Sequence, residues 1–255
     1  LLLVWFFSRQ GTAPPQAPPG QPPGEGPADQ TRPGPVVLVP RAPGQYLSSL
    51  WNRRVVVDPG HGGPDTGTRG VGPEPEKAVV LHVALEMADL LRQSGARVQL
   101  TRWDDRLPAP ADQNLSSRMQ LARAFGGEVF VSLHADAHPD PQVAGVTAYY
   151  RRPDSYLLAW ALYEELVHTL QAPGRGVRQG DFYVLRAAPM PAALVEVGYL
   201  TNGREALLLA DPQYRRLAAA GLVEGLARYF ASERRAPAAG TGRMGEDGSG
   251  PRAGG

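Results

Sequence analysis

The chain has 255 residues, with 26 Lys and Arg against 25 Asp and Glu and a net charge of +1. That balance gives no electrostatic case for a nucleic-acid partner. The absence of cysteine excludes disulfides, thiolate metal sites and a cysteine nucleophile, so any metal site must be built from His, Asp and Glu.

Residues 1–9 open with the apolar run Leu1-Leu2-Leu3-Val4-Trp5-Phe6-Phe7. Spanning a bilayer takes about 20 residues, so this run reads as the remnant of a signal sequence or membrane anchor. A short strand docking on the domain is the alternative. Residues 10–45 are rich in Pro, Gly and Gln and lack apolar periodicity. They read as a disordered linker that cannot bury enough surface to offset its ordering entropy. Residues 46–232 are long enough to form one catalytic domain, and residues 233–255 read as a disordered tail.

Within the domain, strands and helices alternate. Residues 55–57 form a short buried strand that stops at the turn signal Asp58-Pro59-Gly60. From Lys77 to Gln93 the apolar positions Val79, Val80, Val83, Met87, Leu90 and Leu91 fall at helical steps, and Gly95 stops the helix. A strand over residues 97–101 follows, then a helix over 116–124 with Leu115, Met119 and Leu121 offered to the core. Residues 128–133 form a third strand that leads directly into His134. Strands are expected at 146–151, 182–185 and 193–197, and helices at 156–170 and 214–230. This alternation predicts an α/β fold, with a mixed, mostly parallel sheet and helices on both faces. In such sheets functional groups collect at the carboxyl ends of strands, where His61, His134 and Glu196 fall.

Five histidines are present. His61 lies between glycines that let the chain turn tightly and a ligand approach closely. An apolar strand delivers His134 rigidly to its end. His82 reads as a helix-surface or core residue, His138 as a loop residue, and His168 as a cation near a helix C-terminus. Two imidazoles, one carboxylate and an open position make up a catalytic zinc site. The carboxylate candidates near His61 are Asp65, Glu74 and Glu76. Position alone does not separate a ligand at Glu76 from an ordinary acid in a first helical turn. Glu196, flanked by Leu194, Val195 and Val197, needs a partner to offset its desolvation. A metal-bound water or one of the many arginines would serve.

Read in order, Val57-Asp58-Pro59-Gly60-His61-Gly62-Gly63, Glu76-Lys77, Leu100-Thr101-Arg102, Ser117-Arg118, Ser132-Leu133-His134-Ala135-Asp136 and Val195-Glu196-Val197-Gly198-Tyr199-Leu200-Thr201-Asn202 resemble the zinc-dependent N-acetylmuramoyl-L-alanine amidases of the amidase-3 type. The resemblance runs from about residue 54 to 230. It implies zinc (Zn2+) held by His61, Glu76 and His134, Glu196 as the catalytic base, and peptidoglycan as substrate. It implies a bacterial cell-envelope location outside the cytoplasmic membrane, and a monomer is the expectation. Arg102 and Arg118 are expected to pair either with substrate carboxylates or with structural acids. The short stretch after His134 leaves no room for the blocking helix that some relatives carry, so no activator protein is expected. A zinc carboxypeptidase and a wall-binding module without activity are the rival readings.

Overall fold

The computed structural model describes residues 38–110 and 113–235. The leader expected over residues 1–9 and most of the expected linker and tail lie outside the described residues. In chain order the elements are β1 (Arg54–Pro59), α1 (Glu76–Gln93), β2 (Arg97–Leu100), α2 (Asn114–Phe125), β3 (Val129–Asp136), β4 (Val146–Tyr150), α3 (Tyr156–Leu170), β5 (Gly174–Gln179), α4 (Tyr183–Ala187), β6 (Ala192–Tyr199), α5 (Gly203–Ala210) and α6 (Pro212–Arg235).

The six strands form one sheet in the order β2-β1-β3-β6-β4-β5. All neighbours are parallel except β4 and β6, which run antiparallel. The sheet is therefore mixed and mostly parallel, as the alternation of elements predicts. The larger core lies between the sheet and α1, α3 and α6, with Val57, Val83, Met87, Leu133, Leu162, Leu166, Val195 and Leu226 fully or almost fully buried. A smaller core on the other face joins Val56, Phe130 and Leu194 of the sheet to Met119 of α2 and Val184 and Leu185 of α4. β1, β3 and β6 are buried along nearly their whole length, which accounts for their continuous apolar runs.

Several elements differ from expectation. Residues 182–185 do not form a strand. Tyr183–Ala187 is a single helical turn, and a short apolar run carries no period that separates the two. The strand that completes the sheet is instead β5, Gly174–Gln179, an edge strand whose only apolar residue is Val177. The helix Gly203–Ala210 is also additional, and the Asn202 side chain caps it by accepting from the amides of Arg204 and Glu205. Met119 is buried as expected, but Leu115 is 46% exposed because it faces solvent where the buried Arg118 takes the inward position.

The segment at residues 38–45, which composition assigns to the linker, packs on the domain. Val39 is buried; its amide donates to Ser232 Oγ at 2.9 Å, and its carbonyl accepts from Arg228 at 2.6 Å. Arg41 forms a forked pair with the buried Glu165 of α3. At the other end α6 continues to Arg235. None of the described helices is long and apolar enough to cross a membrane.

Candidate metal centre and active site

The site lies at the carboxyl ends of β1, β3 and β6. β1 delivers Asp58 and Pro59, and the chain then turns through His61, whose φ of 58° is left-handed. Glu76 opens α1, and His134 lies near the end of β3. Each of these three offers one ligand atom, and the three atoms lie within 4.8 Å of one another. Glu76 Oε1 is the hub, at 3.0 Å from His61 Nε2 and 2.9 Å from His134 Nδ1. It also accepts the amide of Ala135 at 3.1 Å, while Oε2 accepts the amide of Thr68 at 2.8 Å. The backbone comes close on both sides. A Cβ at Gly60 would lie 2.5 Å from His134 Nε2, and one at Gly67 would lie 2.5 Å from Glu76 Oε2.

Electrostatics show what this cluster fits. Burial alone would lower the pKa of His61, but hydrogen bonds that its ring donates to Asp65 and Glu76 raise it to about 9. Burial alone would raise that of Glu76, yet the two imidazoles hold it far below the usual carboxylate range. The cluster thus retains positive charge between its carboxylates, and a divalent cation replaces such protons directly. Two imidazoles and a carboxylate are a donor set suited to a transition metal. Asp65 Oδ2 lies 2.9 Å from His61 Nδ1, the ring nitrogen away from the cluster, in the position of a carboxylate that fixes a ligand's orientation.

Of the three acids weighed near His61, only Glu76 enters the cluster. Asp65 orients His61, and Glu74 pairs instead with Arg215 at 2.8 Å and His82 at 3.4 Å. His82 is thereby tied to α6, His138 is exposed on its loop, and His168 is exposed in the last turn of α3.

Glu196 is in register with His134 on the adjacent strand and is 7% exposed. Its Oε2 has no hydrogen-bond partner among the described residues. Burial, followed by the nearby charges of Asp136 and Glu76, pushes its pKa well above the usual value. None of the many arginines pairs with it among the described residues. The same surroundings, burial first and then Asp136 and Glu196, raise the Tyr149 hydroxyl to about 12.

Arg102 and Arg118 lie beneath the site, where both donate to acceptors of the protein itself. Both are almost fully buried. Arg118 pairs with Asp58 at 2.6 Å and donates to the carbonyls of Pro59 and His61. Arg102 donates to the carbonyls of Pro59, Gly60 and Lys77. Burial, with the Arg118 charge behind it, lowers the Arg102 pKa to about 10. The two guanidiniums hold the His61 turn and the first turn of α1 in place. Sequence reasoning also passed over Lys77 as a support. Its Nζ donates to the carbonyl of Gly63 and pairs with Asp105, both at 2.7 Å.

The profile of the N-acetylmuramoyl-L-alanine amidase family, Amidase_3, matches residues 55–228. A probable cell wall amidase, LytH, of Staphylococcus epidermidis is 34% identical over 74% of this chain and 62% of its own length. The germination-specific N-acetylmuramoyl-L-alanine amidase of Bacillus subtilis is 33% identical over 71% of this chain and 81% of its own. Among solved structures, the catalytic domain of CwlV, an N-acetylmuramoyl-L-alanine amidase from Bacillus (Paenibacillus) polymyxa var. colistinus, is 34% identical with a TM-score of 0.66, covering 70% of this chain and 98% of that one. An N-acetylmuramoyl-L-alanine amidase from Clostridium difficile 630 is 31% identical with a TM-score of 0.67, covering 71% and 98%. The chain thus spans about three-fifths of the length of the staphylococcal relatives it matches. With the family profile matching residues 55–228 and the fold shared with the solved catalytic domain of CwlV, the chain belongs to the N-acetylmuramoyl-L-alanine amidase family.

Proposed function

We propose that this chain is a zinc-dependent hydrolase that cleaves the amide between N-acetylmuramic acid and L-alanine in peptidoglycan. The observation that carries the reading is the convergence of His61, Glu76 and His134 beside a buried, unpartnered Glu196 in a chain of the amidase family. His61, Glu76 and His134 would hold the zinc. When bound, zinc lowers the pKa of a water toward about 7 and polarises the scissile carbonyl.

The remaining work falls to the protein. Glu196 takes the proton of the attacking water and returns it to the departing L-alanine nitrogen. Asp65 holds His61 in the orientation a ligand needs, and the Arg102 and Arg118 guanidiniums keep the supporting turn from relaxing. Ligand side chains set on a strand end and a helix start are held more precisely than on free loops.

Relatives named as probable cell wall amidases support an extracytoplasmic location for this domain. The loop at residues 137–145, between β3 and β4, is short and holds no helix. We infer that the site is open and needs no activator protein. Digestion of purified peptidoglycan by the zinc-loaded chain, followed by mass spectrometry, is expected to release peptides with a free L-alanine amine, and a chelator is expected to stop it. Free amino acids from the peptide end would indicate a carboxypeptidase, and no product at all would indicate a wall-binding module.

A further inference from the structure

Edge strand β5 carries two arginines that the mechanism leaves unused. The sheet register sets His134 beside Glu196 and Glu196 beside Thr147. Beyond Thr147 the β5 strand bulges. Val146 pairs with Gly174 and Ala148 with Val177, so Arg175 and Gly176 together stand opposite Thr147. A single line across the sheet therefore runs from the metal cluster through Glu196 to Arg175. Three strand steps of ~4.8 Å separate its ends by roughly 14 Å, the span of about four extended residues.

Asp136 and Glu196 stand beside the metal cluster. The Arg175 side chain starts on β5 and reaches back toward β6, where its guanidinium lies 5.3 Å from the centroid of the Tyr199 ring. Its Nε is buried without a hydrogen-bond partner, and its Nη1 reaches the Ala144 carbonyl at the long distance of 3.5 Å. Arg178, in register with Tyr149, is exposed and donates to the Arg175 carbonyl at 3.1 Å. Among the described residues neither arginine has a carboxylate within ion-pair distance, whereas Arg151 and Arg186 both face Asp181. Gly176, at φ +96°, has nothing within 4 Å of the place a Cβ would occupy. The bulge is therefore bare, and a ligand backbone can lie against it.

Arg178 has no described acid within ion-pair distance, and Arg175 has the buried Glu205 in its field but beyond that distance; guanidiniums so placed can receive a carboxylate. We propose that Arg175 and Arg178 form a carboxylate-binding subsite for the departing peptide. The enzyme then selects peptides with a free carboxylate within about four residues of the scissile amide over their carboxamide counterparts. This rests on the amide-hydrolase reading above, which fixes one end of the peptide at Glu196.

The test uses the full, zinc-loaded chain with paired synthetic N-acetylmuramoyl peptides that carry either a carboxylate or a carboxamide at that position. The acid form is expected to be favoured about tenfold in kcat/KM, mainly through KM, the scale of one charge-assisted hydrogen bond. Arg175→Gln and Arg178→Gln are each expected to bring the ratio close to one, and Arg178→Lys to restore part of it. A ratio of one in the wild type overturns the proposal. So does a loss that strikes both substrates equally and leaves the ratio intact, which is the signature of a purely structural role. If the wild type cleaves neither peptide, the amidase reading fails, and calorimetry with the free peptides decides the subsite separately. Tighter binding of the acid form that Arg178→Gln abolishes supports the subsite, and equal binding of the two forms overturns it.

Discussion

Two buried carboxylates on the same sheet, Asp58 on β1 and Glu196 on β6, are treated in opposite ways. Asp58 accepts from Thr101 at 2.6 Å, from Ser132 at 2.7 Å and from Arg118 at 2.6 Å. Burial would raise its pKa, but the Arg118 charge and these hydrogen bonds hold it below the usual range. Glu196 is buried to a similar degree with one oxygen unpartnered, and its pKa moves up instead. Position in the fold is nearly the same, so the difference lies in what the protein supplies around each group. Asp58 is neutralised by its own chain and serves the scaffold. Glu196 is left short of partners, and that shortfall is where chemistry can enter.

The contrast predicts a large stability effect at Asp58 and a large catalytic one at Glu196. Asp58→Ala strands Arg118 in the interior and is expected to cost about 3–5 kcal/mol, read as a fall in Tm and as weaker zinc binding. Because the folded pKa of Asp58 is lowered, its ionic contribution is complete above about pH 3.9, the unfolded value. It fades as pH drops through the lower folded value. A variant as stable as the wild type at neutral pH would break the comparison at its first term.

Glu196→Gln is expected to lower turnover at least ~100-fold while retaining zinc, measured by metal analysis alongside kcat. Loss of zinc in this variant would instead make Glu196 a ligand. The raised folded pKa gives a second reading in the metal-free protein. Its stabilising contribution is complete below about pH 4.3 and is lost as pH rises toward the folded value. Denaturation curves should therefore show Glu196→Gln gaining on the wild type as pH rises through that window. The smallest effect is expected at Asp65→Ala, which should weaken zinc affinity about 10–100-fold, the usual scale for a ligand's orienting partner. Unchanged affinity in a competition titration would show that Gly-rich packing alone orients His61.

How much of this was legible in the sequence depends on where each residue's partners lie. The helix at residues 156–170 matches α3 at both ends, because its apolar period is long and unbroken. His61 and His134 could be singled out because glycines and an apolar strand flank them. The roles of Arg102 and Arg118 could not be read, since their acceptors lie up to 60 residues away and only the fold brings them under the site. β5 was invisible for a different reason. An edge strand written Gly-Arg-Gly-Val-Arg-Gln has no alternation to detect, and its place is set by pairing with β4. Asp65 stood among the acids weighed as ligands, and only the geometry shows that it faces the far nitrogen of His61.

The contact between Val39 and Ser232 has a mechanical consequence. The first described turn of the chain and the last helix are bonded to each other at 2.9 Å, and Arg228 and Glu165 reinforce the joint from both helices. Tension applied between residues near the two ends of the domain closes through this corner of α3 and α6. It loads a few hydrogen bonds and one forked ion pair, and the strands that carry His61, His134 and Glu196 stay out of the force path.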